Sequence, residues 1–537
     1  MVSCVSARSF IRLYEPAPLS LSRLRMVNAR PGKQGDCHHT LDPARDFDGR
    51  GHAPDEGNAM GTTPDGGHQL KPGLKQRHLT MLSLGGVIGA GLFVGSSAII
   101  NQAGPLAFIT YAITGLIVLL VMRMLGEMAA AKPCSGSFTD YARMAWGEWA
   151  GFSTGWLYWY FWVIVVGFEA VVGGQMINKW IPSIPVWAIA LTLMMVMTAV
   201  NLLSVGAFGE AEYWFASIKV VAIVAFITVA ALFVFGLWPG ARIDFGNLTD
   251  HGGLLPNGLA TLFVGVVVVI FSMTGVEVVT IAAAESAEPA KSIRKAVNSV
   301  VFRILAFFVI STFLIAVIVP WDSVVPGESP FVAALDRIGI PGTADLLNLV
   351  ILVAVLSVLN SGLYTSSRLL FVMGGRGDAP AWMTSTNKRG VPVKGILSCT
   401  VVGYGCVVLA ALFPDTVFLF LINASGAVFL FVYFMICISE LRLRRRWEKE
   451  NPGGLEFRMW LYPGLPILVT VAIVAVLVSM GLRDANRIEL MQGVAVWVVL
   501  TVIYLVKKRA RTARGSRALD TARSADVETP PSPVHPS

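Results

Sequence analysis

Charge is scarce in this chain. Of its 537 residues, 14% are Asp, Glu, Lys or Arg and 55% are apolar, whereas a soluble domain carries about 25% charged residues. Mean hydropathy is +0.65, so long segments go without a solvated face, which argues against a soluble protein. Cysteine is sparse and unpatterned. Cys4, Cys37, Cys134, Cys399, Cys406 and Cys437 have neither paired nor metal-ligand spacing, so no disulfide framework and no metal site are expected. The seven histidines lie outside the apolar runs. Without a nucleophile or metal cluster inside those runs, no enzyme chemistry and no cofactor are expected. No ring of charges recurs from run to run, as a channel filter would require. Residues 1–59 also lack an apolar run as long as a signal-peptide core. They are rich in Gly, Pro, His and charge, as in RPGKQGDCHHT and GRGHAPDEGNAM, and are expected to be disordered. Translation is expected to begin at Met60, leaving 1–59 untranslated.

What is abundant is uninterrupted apolar sequence. A helix rises 1.5 Å per residue, so about 20 apolar residues cross a hydrocarbon core of about 30 Å. Backbone polar groups cannot be left bare in lipid, so such runs are helices. The pattern predicts an all-α integral membrane protein of about twelve transmembrane helices. The first six spans fall near 79–101, 106–130, 152–178, 184–204, 213–236 and 258–284. Six more fall near 300–320, 345–372, 393–412, 416–438, 461–481 and 489–506.

Loop charge gives an orientation. With the N-terminus in the cytoplasm, internal loops and tails from residue 60 onward collect about 24 Lys and Arg, and external loops about five. An even number of spans puts both termini inside. The net charge of +8 then reflects topology and attraction to anionic lipid head groups, since ELRLRRRWEKE (440–450) and KKRARTARGSR (507–517) each abut a span. Membrane lipids are the expected macroscopic partner, and nucleic acid is not. Trp146, Trp149, Trp156, Tyr158, Trp159 and Trp162 crowd the start of the third span, as an interfacial aromatic belt would. Within 135–152, Phe138, Tyr141, Ala142, Ala145 and Trp149 recur at helical spacing, which predicts an amphipathic helix on the inner membrane surface.

Two spans carry helix breakers at comparable depth. The first contains Gly85, Gly86, Gly89 and Gly91 in LGGVIGAGLFVG, and the sixth contains Gly275 in IFSMTGVEVVTIAAAES. Glycines alone are also explained by close helix packing. A matched break in the first helix of each half points instead to an inverted-repeat transporter with a midplane site. Unwound backbone offers N–H groups to a carboxylate and carbonyls to an ammonium, so a zwitterion fits without a charged side chain.

Charge inside a span costs about 2.5–3.5 kcal/mol at the centre on insertion scales and is a functional candidate by default. Glu169 lies deep in the third span, Lys219 in the fifth and Glu277 just past the break in the sixth. Low dielectric favours the neutral form of each, which brings titration towards neutrality as a proton-coupled cycle needs. A permanent structural pairing of Lys219 is the plainer explanation against which that role is weighed. Arg123 and Glu127, at i, i+4, are expected to form a local ion pair, and Glu285 a near-interface anchor.

These stretches carry a family likeness. LTMLSLGGVIGAGLFVGSS and FSMTGVEVVTIAAAESAEPAKSIRKA resemble the first and sixth spans of the amino acid–polyamine–organocation superfamily. GWLYWYFWVIVVGFEA, NLLSVGAFGEAEYWFASIKV, LNSGLYTSSRLLFVMGGRGDAPAWM and FRMWLYP are similar to its bacterial amino acid permeases, and the likeness runs from about residue 70 to 506. EVVTIAAAES and the FWV segment before Glu169 favour the 4-aminobutyrate (GABA) permease branch. An aromatic or other neutral amino acid permease, or a polyamine or cationic amino acid exchanger of the same fold, is the alternative.

The resemblance implies a leucine-transporter-type fold in which spans 1–5 and 6–10 are inverted repeats with broken helices 1 and 6. It implies four regions: a cytoplasmic tail (1–70), a ten-helix transport core (71–440), a cytoplasmic loop with helices 11 and 12 (441–506), and a disordered basic tail (507–537). It implies residence in the bacterial inner membrane and proton symport of a small amino acid by alternating access, with the proton as coupling ion. By motif, Gly86, Ile88, Gly89, Ala90 and Gly91 would line the substrate site. There the carbonyl near Ile88 would take the amine, and the Ala90 and Gly91 N–H groups the carboxylate. Phe271, Ser272 and Gly275 would close it. Lys219 and Glu277 match residues tied to proton coupling in related members, with Glu169 a third candidate. Gly167, Gly173 and Gly174 depart from the bulkier residues of several members, which leaves pocket size open.

Overall fold

A computed structural model describes residues 81–527 apart from 82–84, 86–87, 135, 204, 242, 279–288, 388 and 415. The expected start at Met60, Gly86, Glu285 and the last ten residues lie outside the described residues.

Among the described residues every regular element is helical. Ten stretches are long and apolar enough to cross a membrane. One of them, Ala90–Ala131, holds two predicted spans joined by the tight turn Gly104–Leu106. Gly104 takes φ +73°, a conformation that strains any residue with a Cβ, and Pro105 follows it. The sixth predicted span is interrupted, and its apolar stretch is the shorter Ala260–Ser272. With those two resolved, each of the twelve predicted spans has a helical counterpart. The seventh contains a π-helical stretch, Ile304–Ile310.

The third span, Glu148–Asn178, is the axis of the bundle. Of its apolar window 83% is buried within the protein, against 28% for Gly464–Leu482 and 11% for Asn486–Ala510. It packs on the fourth, eighth, ninth and tenth spans. The eleventh and twelfth are peripheral, with Leu468, Val471, Val498 and Val502 each more than half exposed. In water such an apolar surface would drive association; in a bilayer it is the lipid-facing side.

Three local expectations change. The segment 135–152 is not one helix on the membrane surface. It forms Phe138–Trp146, a turn at Gly147 with φ +91°, and then the start of the third span. Its apolar face is buried in protein: Phe138 meets Tyr158 edge-on at 4.8 Å, and Ala142 clusters with Ala150 and Met435. Second, helix persists where loop and disorder are expected. The tenth span is Val417–Glu450, so 441–450 is helix, supported by ion pairs Arg444–Glu448 at 3.1 Å and Arg446–Glu450 at 2.8 Å. The helix from Asp484 runs to Val527, because its tail is rich in Ala and Arg, strong helix formers. Third, Arg123 and Glu127 turn away from each other. Glu127 pairs with Arg444 at 3.0 Å and accepts the Met459 N–H. Arg123 donates to the Arg458 carbonyl at 2.8 Å and stacks 3.8 Å over the Trp460 ring. The segment 455–463 is thereby tied to both the second and the tenth spans.

Candidate functional site

The two interrupted spans meet at their breaks. In the first, the chain leaves helical form at Ile88 and Gly89, where Gly89 is extended (φ −142°, ψ −161°). It makes one turn at Ala90–Phe93, unwinds at Val94 and Gly95, and resumes at Ser96–Ala103. In the sixth, helix Val266–Ser272 gives way to a turn at 273–275 in which Gly275 takes φ +94°. Ser272 Oγ donates to the Gly91 carbonyl at 2.7 Å. A Cβ on Gly91 would sit 2.8 Å from Ser272 Cα, so only glycine permits this approach.

A cavity lies where these breaks meet the third and eighth spans. Gly89, Gly91, Phe271, Ser272 and Thr274 line it from the broken helices, Trp162, Val165 and Glu169 from the third span, and Val358 from the eighth. Its volume is about 20 Å³, room for about one water and far too little for an amino acid. The site is too narrow here to hold a substrate. Glu169 is buried at its edge, and its carboxylate accepts the Ala90 N–H. The other oxygen has no hydrogen-bond partner among the described residues. The N–H that the motif likeness assigns to a substrate carboxylate thus holds a carboxylate of the protein.

Lys219 is fully buried one layer away. Its Nζ donates to Ser357 Oγ at 2.8 Å and lies 4.0 Å from Glu212 Oε1. Ser357 Oγ in turn donates to Glu212. The ammonium interacts electrostatically with both Glu212 and Glu169. One lysine therefore faces two buried carboxylates, and an uncompensated buried charge is costly. The group is electrically complete only with one further cation or proton.

Glu277 belongs to a different set of contacts. Its carboxylate accepts the Gly275 N–H at 3.2 and 3.0 Å and the Tyr158 hydroxyl at 3.0 Å. It staples the turn that breaks the sixth span to the third. The site residues of the sequence analysis therefore separate. Gly89, Ala90, Gly91, Phe271, Ser272 and Glu169 converge, Lys219 adjoins them through Glu169, and Gly275 and Glu277 hold the break. Ile88 is in the unwound stretch, and Gly86 lies outside the described residues.

Some residues carry more than their sequence suggested. Trp162 is a buried residue lining the cavity and Tyr158 a buried one that bonds Glu277, so neither is part of an interfacial belt. Trp162 stands two helical turns before Glu169, on the same face, which is the signal that could have found it. Glu212 is related to Lys219 by the same seven-residue interval. Conversely, Gly167, Gly173 and Gly174 do not widen the cavity. Added Cβ atoms would run into Cys406, Leu193 and the Val186 carbonyl, so these glycines serve packing on the ninth and fourth spans.

The family model described as amino acid permease matches residues 78–516. Over 450 residues the chain is 48% identical to the gamma-aminobutyric acid permease of Bacillus subtilis (strain 168), covering 84% of this chain and 96% of that protein. It is 43% identical over 441 residues to the gamma-aminobutyric acid permease of Escherichia coli (strain K12), covering 81% and 94%. The aromatic amino acid transport protein AroP of Escherichia coli (strain K12) is 40% identical over 448 residues, covering 83% and 98%.

Proposed function

The chain belongs to the amino acid permease family, a multi-pass protein of the bacterial inner membrane, and from that premise we propose that it is a proton-coupled symporter importing a zwitterionic amino acid, 4-aminobutyrate. The observation that carries the coupling is the position of Glu169. It bonds the broken first helix at Ala90 on one side and faces Lys219 on the other. A substrate carboxylate arriving at Ala90 and Gly91 competes with Glu169 for the same donor. The released carboxylate, with Glu212, outnumbers Lys219 and takes up a proton. Substrate occupancy and protonation are thereby linked through one side chain.

A cavity of about 20 Å³, too small for the substrate, fits a substrate-free stage of alternating access, with the two broken helices as the element that rocks against the third and eighth spans. In this scheme spans 1–5 and 6–10 are inverted repeats and both termini are cytoplasmic. The substrate is neutral overall, so each cycle moves one positive charge. A potential of 100 mV contributes about 2.3 kcal/mol per charge, which supports roughly fifty-fold accumulation. Identity supports the substrate assignment, being higher to the two proteins named for gamma-aminobutyric acid than to the aromatic transporter. Trp162 and Phe271 in the lining favour the aromatic or neutral amino acid permease as second reading. Competition for labelled 4-aminobutyrate uptake separates the two. Displacement by ω-amino acids and not by phenylalanine supports 4-aminobutyrate, and the reverse pattern moves the substrate to the aromatic class.

A further inference from the structure

A second, larger cavity lies away from the transport site, where the tenth span leaves its apolar run. It is an open groove with a volume of about 710 Å³. One wall is a single face of the helix Val417–Glu450. Ile438, Leu441, Arg442, Arg445, Arg446 and Lys449 follow at intervals that keep them on one side of the helix. The other wall is Trp146, at the end of the short helix before the third span, and Ile467, at the start of the eleventh.

The face is divided along its length. Ile438 and Leu441, with Trp146 and Ile467 opposite, make one end apolar, and the four cations make the other end basic. From Ile438 to Lys449 the helix rises about 16 Å. Arg442 lies 4.6 Å over the Trp146 ring at the junction. Arg446 is paired with Glu450, while Glu448 turns to Arg444, outside the lining. Four cations thus meet one paired carboxylate. Ile467 is 43% exposed, and Leu468 and Val471 beside it are more so, so the apolar end is continuous with the lipid-facing surface.

We infer that this groove is a binding site for one anionic phospholipid, with its phosphate among Arg442, Arg445 and Lys449 and an acyl chain along Ile438, Leu441 and Ile467. Zwitterionic lipid lacks the net charge that four cations select. A soluble phosphate compound leaves the apolar end unfilled. The groove adjoins Arg444, which holds Glu127 of the second span, so the lipid braces the joint between the second and tenth spans.

The test is native mass spectrometry of the full chain in detergent, titrated separately with phosphatidylglycerol and phosphatidylcholine of identical acyl chains. One phosphatidylglycerol is expected to be retained in preference to phosphatidylcholine. The triple variant Arg442→Ala, Arg445→Ala, Lys449→Ala is expected to bind it roughly a hundredfold more weakly, at about fivefold per cation. Ile467→Asp, at an exposed position, leaves every cation in place and is also expected to lose the lipid. Equal retention of the two lipids overturns the proposal, as does unchanged binding by either variant. Displacement of the lipid by glycerol 3-phosphate overturns it too, since the head group alone would then suffice.

Discussion

Lys219 sets one ammonium against the carboxylates of Glu212 and Glu169, and the transport cycle is proposed to turn on that imbalance. Lys219→Ala is expected to abolish proton-driven accumulation while substrate exchange stays measurable in proteoliposomes. Loss of both, with normal membrane insertion, would give Lys219 a structural role. Glu277→Gln keeps an acceptor oxygen for the Gly275 N–H, so the break should survive. It is expected to flatten the pH dependence of uptake, and an unchanged profile would remove Glu277 from the proton path. Lys219, Glu169 and Glu277 were legible in the sequence because a charge in an apolar run is conspicuous. Glu212 was not, because it precedes the predicted start of its span and reads as a loop residue. Its interval from Lys219 carries the information, but periodicity states which residues share a face and not which helix, here the eighth with Ser357, lies opposite. Tyr158 and Trp162 were hidden for a similar reason, since an aromatic cluster at a span end suits a lipid interface as well as it suits a core.

The two broken spans were visible from their glycines, and the contact between them depends on Gly91 lacking a side chain. Gly91→Ala drives a Cβ to 2.8 Å from the Ser272 backbone, so the breaks must separate. Uptake is expected to fall at least tenfold with insertion unchanged, measured against an immunoblot of the membrane fraction; wild-type uptake would show that the contact is dispensable. The ends of elements were less legible. Charged sequence after the tenth span reads as loop, yet ion pairs one turn apart sustain the helix to Glu450. There Arg444 and Glu127 join the tenth span to the second, both largely buried. Arg444→Met strands Glu127 without its guanidinium, and breaking such a pair costs about 3–5 kcal/mol. A clear drop in melting temperature in detergent is expected. An unchanged melting temperature would mean that the Met459 N–H suffices to hold Glu127.

Across the whole molecule the sequence specified class more fully than arrangement. Composition and run length indicate a many-helix membrane protein, and loop charge an orientation. That the third span is the buried axis, while the eleventh and twelfth face lipid, follows from packing that hydropathy does not distinguish, since core and lipid are both apolar. The cavity between the broken helices is too small for an amino acid, so substrate entry requires movement of the bundle. The most direct measurement is uptake of radiolabelled 4-aminobutyrate into proteoliposomes under an inward proton gradient, with and without a protonophore. Accumulation that collapses with the protonophore, competed by ω-amino acids and not by phenylalanine or lysine, is the predicted result. Accumulation indifferent to the protonophore would contradict proton symport.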